Sequence, residues 1–339
     1  MKKLLSAMIA CAMLFSLAAC GAKGDAKTDG SKSGSTSTAS SGTSDNYPTK
    51  PITDIVPTSA GGSTDLYQRL IGNYIEKYLG QSFVVENKTG GAQVIGVTAI
   101  KDSAPDGYTI GVGWGASFGM RPYLLDVTYS MDDFQFICGV LEQKNVIIVR
   151  GDSEWNTLDD LKAAMEANPG KINYGAGASG SFQYVWAAYI MNQMGVTANM
   201  IPHDGDAGAV VSLQSGAVDW VSCEPTSCVS ALKSGDVKVL VNCGTERDPG
   251  YPDAPSLTEL GYESVLSHTM AIVCPAAVPA ERVEKLRAAL EQVLQDPDFI
   301  AQCESAGYAY AYKTGEECIQ EIHNMEEVIK PMIDAGVFG

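Results

Sequence analysis

The chain has 339 residues, 40 acidic against 23 basic side chains, a formal net charge of −17, and 45% hydrophobic residues. That charge argues against a nucleic-acid partner, whose phosphates are neutralised by Lys and Arg, and against a polybasic grip on anionic lipid. The hydrophobic share supplies an ordinary globular core, and at roughly 100–200 residues per domain the length predicts two domains.

Lys2 and Lys3 precede an apolar run, Leu4 to Ala19, which ends at Cys20. This is the pattern of a secretory leader, and the run is shorter than the ~20 residues that span a bilayer. Leu17-Ala18-Ala19-Cys20 resembles the bacterial lipobox, which implies cleavage after residue 19 and a diacylglycerol on the Cys20 sulfur. Loss of Lys2 and Lys3 would take the net charge from −17 to −19. Residues 20–46 are small and polar, with no aromatic or large aliphatic side chain after Cys20. Such a segment cannot offset its ordering entropy by burial and reads as a tether with a reach of roughly 25–30 Å.

Nine cysteines are present. Apart from Cys11 and Cys20 they are Cys138, Cys223, Cys228, Cys243, Cys274, Cys303 and Cys318, with no C-x-x-C and no zinc-finger spacing. Buried thiols acting as small hydrophobes are expected for most of them, with one or two disulfides left open. Neither a metal nor a cofactor is expected.

Farther on, residues 52–57 read as a strand that enters the small-residue loop Thr58 to Asp65. A helix with Leu66, Leu70, Ile71, Tyr74, Ile75, Tyr78 and Leu79 on its apolar face follows and ends at Gly80. Residues 82–86 complete a βαβ unit, which predicts parallel strands. A helical stretch over 97–102, a turn at 104–107 and a strand over 108–112 continue the pattern. It recurs as strand 172–174, glycine-rich loop 175–181 and helix 182–194, and again from Ile201. Glu281 to Leu294 reads as a helix, and Gly315 to Val337 as another that Pro331 breaks. Strand, glycine-rich loop and helix in both halves predict an α/β protein of two similar lobes. A first lobe that resumes at the C-terminus makes the chain cross between lobes twice. The divisions are 47–147 with 268–339 for lobe 1 and 148–267 for lobe 2, with a hinge near residues 145–150 and 264–272.

Two loops carry the functional reading. In Ala60-Gly61-Gly62-Ser63-Thr64-Asp65 the glycines let a ligand approach the backbone, and the helix that follows adds the positive end of its dipole. In residues 175–181, Ser179 or Ser181 is placed to cap the next helix or to donate to a carboxylate oxygen. Both loops leave strand C-termini, where open α/β sheets bind ligands, so together they predict a carboxylate site built without Arg or Lys. Trp114 follows a strand aimed at the same cleft. Only three histidines exist, and no nucleophile with a base partner, H-E-x-x-H or G-x-S-x-G elbow is found. A binding protein, not an enzyme, is expected.

These segments resemble the substrate-binding proteins of tripartite tricarboxylate transporters, the TctC or Bug family. The matching stretches include residues 47–52, Val56-Pro57 with Ala60-Gly61-Gly62 and Asp65, and 104–109 with the sequence APDGYT. Farther on they include 168–171, Gly180-Ser181, Val218-Asp219 and 252–256. The resemblance covers residues 47–339. It implies a two-lobed type II periplasmic-binding fold, an organic-acid ligand held by loop amides, hydroxyls and water, and TctA/TctB-like membrane transporter subunits as partners. It places Ala60, Gly61, Gly62, Asp65, Gly180 and Ser181 at the ligand. The chain departs from the family at His203-Asp204-Gly205, at Tyr184, and at Cys223 with Glu224 beside it. An acid near the cleft admits a ligand that also carries an amine, with Asp204 pointing to solvent as the plainer alternative. The protein is expected to be an extracytoplasmic, lipid-anchored monomer. A lipoprotein sensor that signals through a membrane receptor is the alternative role.

Overall fold

The computed structural model describes residues 46–178, 180–266 and 268–338. The expected leader, the lipobox with Cys20, and all of the tether but its last residue lie outside the described residues. The chain begins with β1 (Ile52–Val56), α1 (Ser63–Leu79), β2 (Phe83–Asn87), α2 (Val94–Lys101) and β3 (Thr109–Trp114). Short helices α3 (Gly115–Gly119) and α4 (Arg121–Leu124) lead to β4 (Phe134–Glu142). Next come β5 (Val146–Arg150), α5 (Leu158–Ala167), β6 (Asn173–Ala176), α6 (Phe182–Met194) and β7 (Asn199–Pro202). They continue with α7 (Asp206–Gln214), β8 (Trp220–Cys223), α8 (Val229–Ser234) and β9 (Val237–Asn242). The chain closes with β10 (Thr269–Pro275), α9 (Ala280–Leu294), α10 (Pro297–Ala306), β11 (Tyr310–Thr314) and α11 (Gly315–Asp334).

The strands form two sheets, in the orders β11-β4-β10-β3-β1-β2 and β7-β6-β8-β5-β9. The fold is the expected α/β one, with the chain passing from the first sheet to the second after β4 and back after β9. Parallel pairing holds where βαβ units were read: β1 with β2 and β3, and β6 with β7 and β8. The two strands that follow a crossing run the other way, β5 against β8 and β9, β10 against β3 and β4. The reason is topological. Each crossing leaves the C-terminal end of one strand and arrives at the matching edge of the other sheet, so the incoming strand runs back from that edge.

Local chemistry fixes the helix ends. Gly80, at φ +79°, closes α1 by donating its N–H to the Glu76 carbonyl, a conformation that costs other residues more. Thr157 with Asp160 and Thr314 with Glu317 form reciprocal capping boxes on α5 and α11. On α1 the buried face runs through Tyr67, Ile71, Ile75 and Leu79, while Leu66 is 51% exposed. The aliphatic pattern mis-phased the start of this helix because the large residue that reaches the sheet is Tyr67. The expected break at Pro331 does not occur; α11 continues to Asp334. Proline forfeits one hydrogen bond near the helix end, while Ile329 and Met332 on either side are anchored in the core. Cys138, Cys223, Cys228, Cys243, Cys274, Cys303 and Cys318 are all buried and free.

One core layer packs α1 and α9 on the first sheet and another lies on its opposite face. A third joins Ala116 and Met120 to Phe182 and Trp186 on α6 and to Met325, Ile329 and Met332 on α11. The two lobes therefore share apolar packing beside the crossings.

Candidate functional site

Register places the candidate loops. Thr269 and Met270 at the start of β10 lie opposite Glu142 and Trp114 at the ends of β4 and β3. The ends of β1, β2, β3 and β4 thus share one edge of the first sheet. On the second sheet Val146, the first residue of β5, lies opposite Cys223 and Asn242, the ends of β8 and β9. The C-terminal ends of β6, β7, β8 and β9 share that edge, and the segments 143–145 and 243–268 join the two edges.

On the first edge, the loop amides are not arranged as the sequence suggested. Gly61, at φ +81°, donates its N–H to Asp65 Oδ2 at 2.8 Å, and Gly62 donates to the Ser59 carbonyl. Both amides are used inside the loop. What remains is the first turn of α1: Gly62 is its N-cap without any side-chain cap, so the N–H groups of Ser63 and Thr64 have no partner among the described residues. An uncapped 17-residue helix N-terminus favours an anion there. Ala60 and Ser63 are exposed and Gly62 half-buried.

Asp65 is 1% exposed and braces the loop. It accepts from Gly61, from Asn87 Nδ2 at 2.9 Å and from Arg69 Nε. Burial works against its charge, yet the hydrogen bonds from Arg69, Gly61 and Asn87 outweigh it and hold the carboxyl below its usual range. Its carboxylate shapes the loop by bracing the Gly61 turn.

The next loop was missed at the sequence level. After β2 the backbone turns through Ala92 at φ 50° and Gln93 at φ 78°. Two successive side-chain-bearing residues in the left-handed region store strain of the kind found at functional sites. Gln93 Oε1 accepts from Ser117 Oγ at 3.2 Å and Arg121 Nη1 at 3.4 Å, and Arg121 also donates to Ser117 Oγ. Arg121 is 6% exposed and has no carboxylate partner among the described residues; its Nε has no acceptor. Burial pulls its guanidinium down to about 10. A sequence signal existed: Arg121 is the single charged residue between Asp106 and Asp126.

On the second edge, Ser181 caps α6, its Oγ accepting the Tyr184 N–H at 3.2 Å. Gly180 is in the left-handed region at φ +79°. Tyr184 turns its ring to Phe338, with centroids 5.7 Å apart. His203 is held through Nε2 by Ser212 Oγ at 2.7 Å. Asp204 is exposed, as in the plainer of the two expectations. The acid at this edge is Asp206, the first residue of α7, whose Oδ2 accepts the Glu224 N–H at 2.8 Å. Burial, reinforced by the Glu224 charge, pushes Asp206 up to about 7. Burial also raises Glu224, which takes hydrogen bonds from Gln143 and Thr226. Cys223 is wholly buried in the core beneath and hydrogen-bonded to Cys228.

The crossings bind the edges together. His268 is stacked between Trp114 of the first edge (centroids 4.7 Å) and Phe182 of the second (3.8 Å). Its Nδ1 lies 2.5 Å from Gln143 Oε1, which can only accept, so the proton sits on Nδ1 and Nε2 is left with no partner. Burial, then the nearby charge of Arg121, hold its pKa well below the usual value, so the ring is neutral. Trp114 Nε1 donates to Thr64 Oγ1 at 3.3 Å. A cavity of about 610 Å³ opens beside these groups, lined by residues that include Glu142, Lys144, Glu224, Tyr251, Glu304 and Tyr308. It touches the first loop only through Tyr308, whose hydroxyl donates to the Ser63 carbonyl at 3.3 Å. Its one cation, Lys144, is paired with Asp248 at 2.6 Å. Glu142, Glu224 and Glu304 give this chamber an acidic wall.

Two sheets whose loop-bearing edges meet across a double crossing define the class of two-lobed solute-binding proteins. The tripartite tricarboxylate transporter family receptor matches residues 68–336, and the chain belongs to that family. Protein BugT of Bordetella pertussis is 30% identical over 258 residues, covering 74% of this chain and 78% of BugT. A TctC solute-binding protein from Polaromonas superimposes with a TM-score of 0.73 at 26% identity, over 84% of this chain and 99% of that one. MatC from Rhodopseudomonas palustris, solved with bound malate, gives 0.70 at 26% identity, over 84% and 100%. The family's members are extracytoplasmic solute-binding proteins, which fits a non-enzyme. Among the described residues no helix is long and apolar enough to cross a membrane.

Proposed function

We propose that this protein captures a small organic acid between its two sheet edges and delivers it to TctA/TctB-like membrane subunits. The observation that carries this reading is the uncapped N-terminus of α1, aimed from the first edge toward a second edge that carries the N-termini of α6 and α7. Ser63 and Thr64 amides would hold one carboxylate, with the Ser181 hydroxyl as a donor from the other side. The malate in MatC supports this ligand class. The lobes divide at 47–147 with 268–339 against 148–267, and closure pivots on the crossings near 145–150 and 264–272. Cys20 anchors the chain through lipid, and the protein acts as a monomer.

The test is a thermal-shift and calorimetric screen with malate, succinate, citrate, glutamate, nicotinate and benzoate. A ligand at 100 times its dissociation constant should add ~2.7 kcal/mol of stability. A shift with one acid, lost when Gly62 is replaced by a bulky residue, is the expected outcome. Folded protein that responds to none of them would overturn the reading.

A further inference from the structure

The reading above uses amides and hydroxyls alone, yet the structure holds a cation that it leaves without a role. We propose that Arg121 is a ligand-binding residue whose guanidinium pairs with a carboxylate of the bound acid. This rests on the carboxylate reading and adds to it a charged contact.

A charge removed from water is costly unless it is paired and hydrogen-bonded. Arg121 is 6% exposed; among the described residues its only acceptors are two neutral oxygens, Gln93 Oε1 and Ser117 Oγ, and both of these meet Nη1. Among the described residues its buried Nε has no acceptor. The planar fork of an arginine fits a carboxylate through paired N–H groups, and that is the partner this environment lacks among the described residues.

Position supports the same conclusion. Arg121 follows β3 by way of α3, at the edge where β1 and β2 also end. Its neighbours Ala116 and Met120 pack with Phe182 and Trp186 of the second lobe. Its charge reaches His268, the ring clamped between Trp114 and Phe182. The Gln93 that orients it stands in the left-handed region beside a second such residue, Ala92. A backbone held there at some cost, presenting an acceptor to a buried and unneutralised guanidinium, is the arrangement of a preorganised anion subsite.

The experiment compares acids with their uncharged amides: succinate with succinamide, malate with malamide, benzoate with benzamide. Dissociation constants are measured by calorimetry on the wild-type protein, Arg121→Gln and Arg121→Lys, each checked for a cooperative melt. For the acid that binds best, Arg121→Gln should weaken binding by ~10–100-fold and its amide by less than ~3-fold. Arg121→Lys, which keeps the charge but loses the fork, should fall between. Should Arg121→Gln fail to fold, Arg121→Lys decides by the same acid-to-amide ratio. Acid affinities in the folded variants within ~2-fold of wild type, or equal losses for acid and amide, would overturn the assignment while leaving the carboxylate reading intact. A wild-type protein that binds no acid at all would remove both.

Discussion

The imidazole of His268 lies flat on the ring of Phe182, centroids 3.8 Å apart and planes 15° from parallel. Phe182 opens α6 on the second edge, and Trp114 closes the stack from the first, so one aromatic column spans the cleft. A buried Phe→Ala change costs ~3–5 kcal/mol when the site cannot collapse, and Phe182 is 4% exposed. Phe182→Ala should therefore lower stability by about 3 kcal/mol in urea denaturation. It should also red-shift the indole emission, because Trp114 loses its cover. The same change made on a Trp114→Phe background should leave a smaller red shift, from Trp186, which packs edge-on against Phe182 with centroids 6.2 Å apart. An identical red shift in both backgrounds would show that the column does not shelter Trp114.

Asp65 offers a second test, since its carboxylate braces the Gly61 turn. Asp65→Ala leaves the Gly61 N–H, Asn87 Nδ2 and the Arg69 guanidinium without their acceptor. Hydrogen bonds to a charged group are worth ~1.5–3 kcal/mol, and a loss of about 2–3 kcal/mol is expected together with weakened ligand binding. Its carboxyl is held below the ordinary 3.8, so its contribution is present above that pH and is lost on further acidification. Normal stability with abolished binding would instead make Asp65 a direct ligand contact.

How much of this was legible in the chain depends on what each element rests on. The helix of residues 182–194 could be read to the residue because Ser181 caps it and Gly195 stops it. Asp133 and Asp160 each close a capping box at a helix start. Parallel βαβ pairing followed from the repeat, whereas the reversed β5 and β10 depend on where the crossings arrive, which no local pattern encodes. At the site, the spacing of Gly61, Gly62 and Asp65 located the loop but not its internal hydrogen bonds, which take both glycine amides out of use. Asp204 drew attention as the acid near the cleft, but the residue two places on, Asp206, begins α7 and faces Glu224. Gln93 and Arg121 were illegible for a different reason: their meaning lies in a contact across 28 positions of chain.

Asp206 should make ligand binding depend on pH. It is half-buried, pushed up to about 7, and neighbours Glu224 and the Cys223–Cys228 thiol pair. Below pH 7 it is protonated and neutral; above it, a negative charge stands at the second edge. A ligand carboxylate that binds only the neutral form would lose affinity by about tenfold between pH 6 and pH 8, by proton linkage. Asp206→Asn should flatten that dependence and keep the tighter binding at pH 8. Calorimetric titrations of the best acid at the two pH values check this, and a wild-type affinity that does not change over the range would reject it.

Asp54 carries the same sign but acts on the fold. It lies in β1 between Val85 and Ile110, wholly buried, and among the described residues neither of its oxygens is hydrogen-bonded and Gln68 on α1 is likewise buried without a partner. Burial alone pushes it up to about 7 from an ordinary 3.8. Between those values the folded protein holds a proton that the unfolded chain releases. The contribution to stability is therefore full below 3.8, declines as pH rises, and is gone once pH passes about 7. Replacing a buried unpaired acid by an apolar residue of similar size removes a desolvation cost. Asp54→Leu should melt higher than wild type at pH 8, and the gap should narrow toward pH 5 because the wild-type carboxyl is then neutral. Differencing the two melting curves cancels the parallel effect of Asp206, which both proteins share. A gap that stays constant from pH 5 to pH 8 would mean that Asp54 does not titrate in this range, and that the first sheet carries a partner for it in solution, such as an ordered water shared with Gln68.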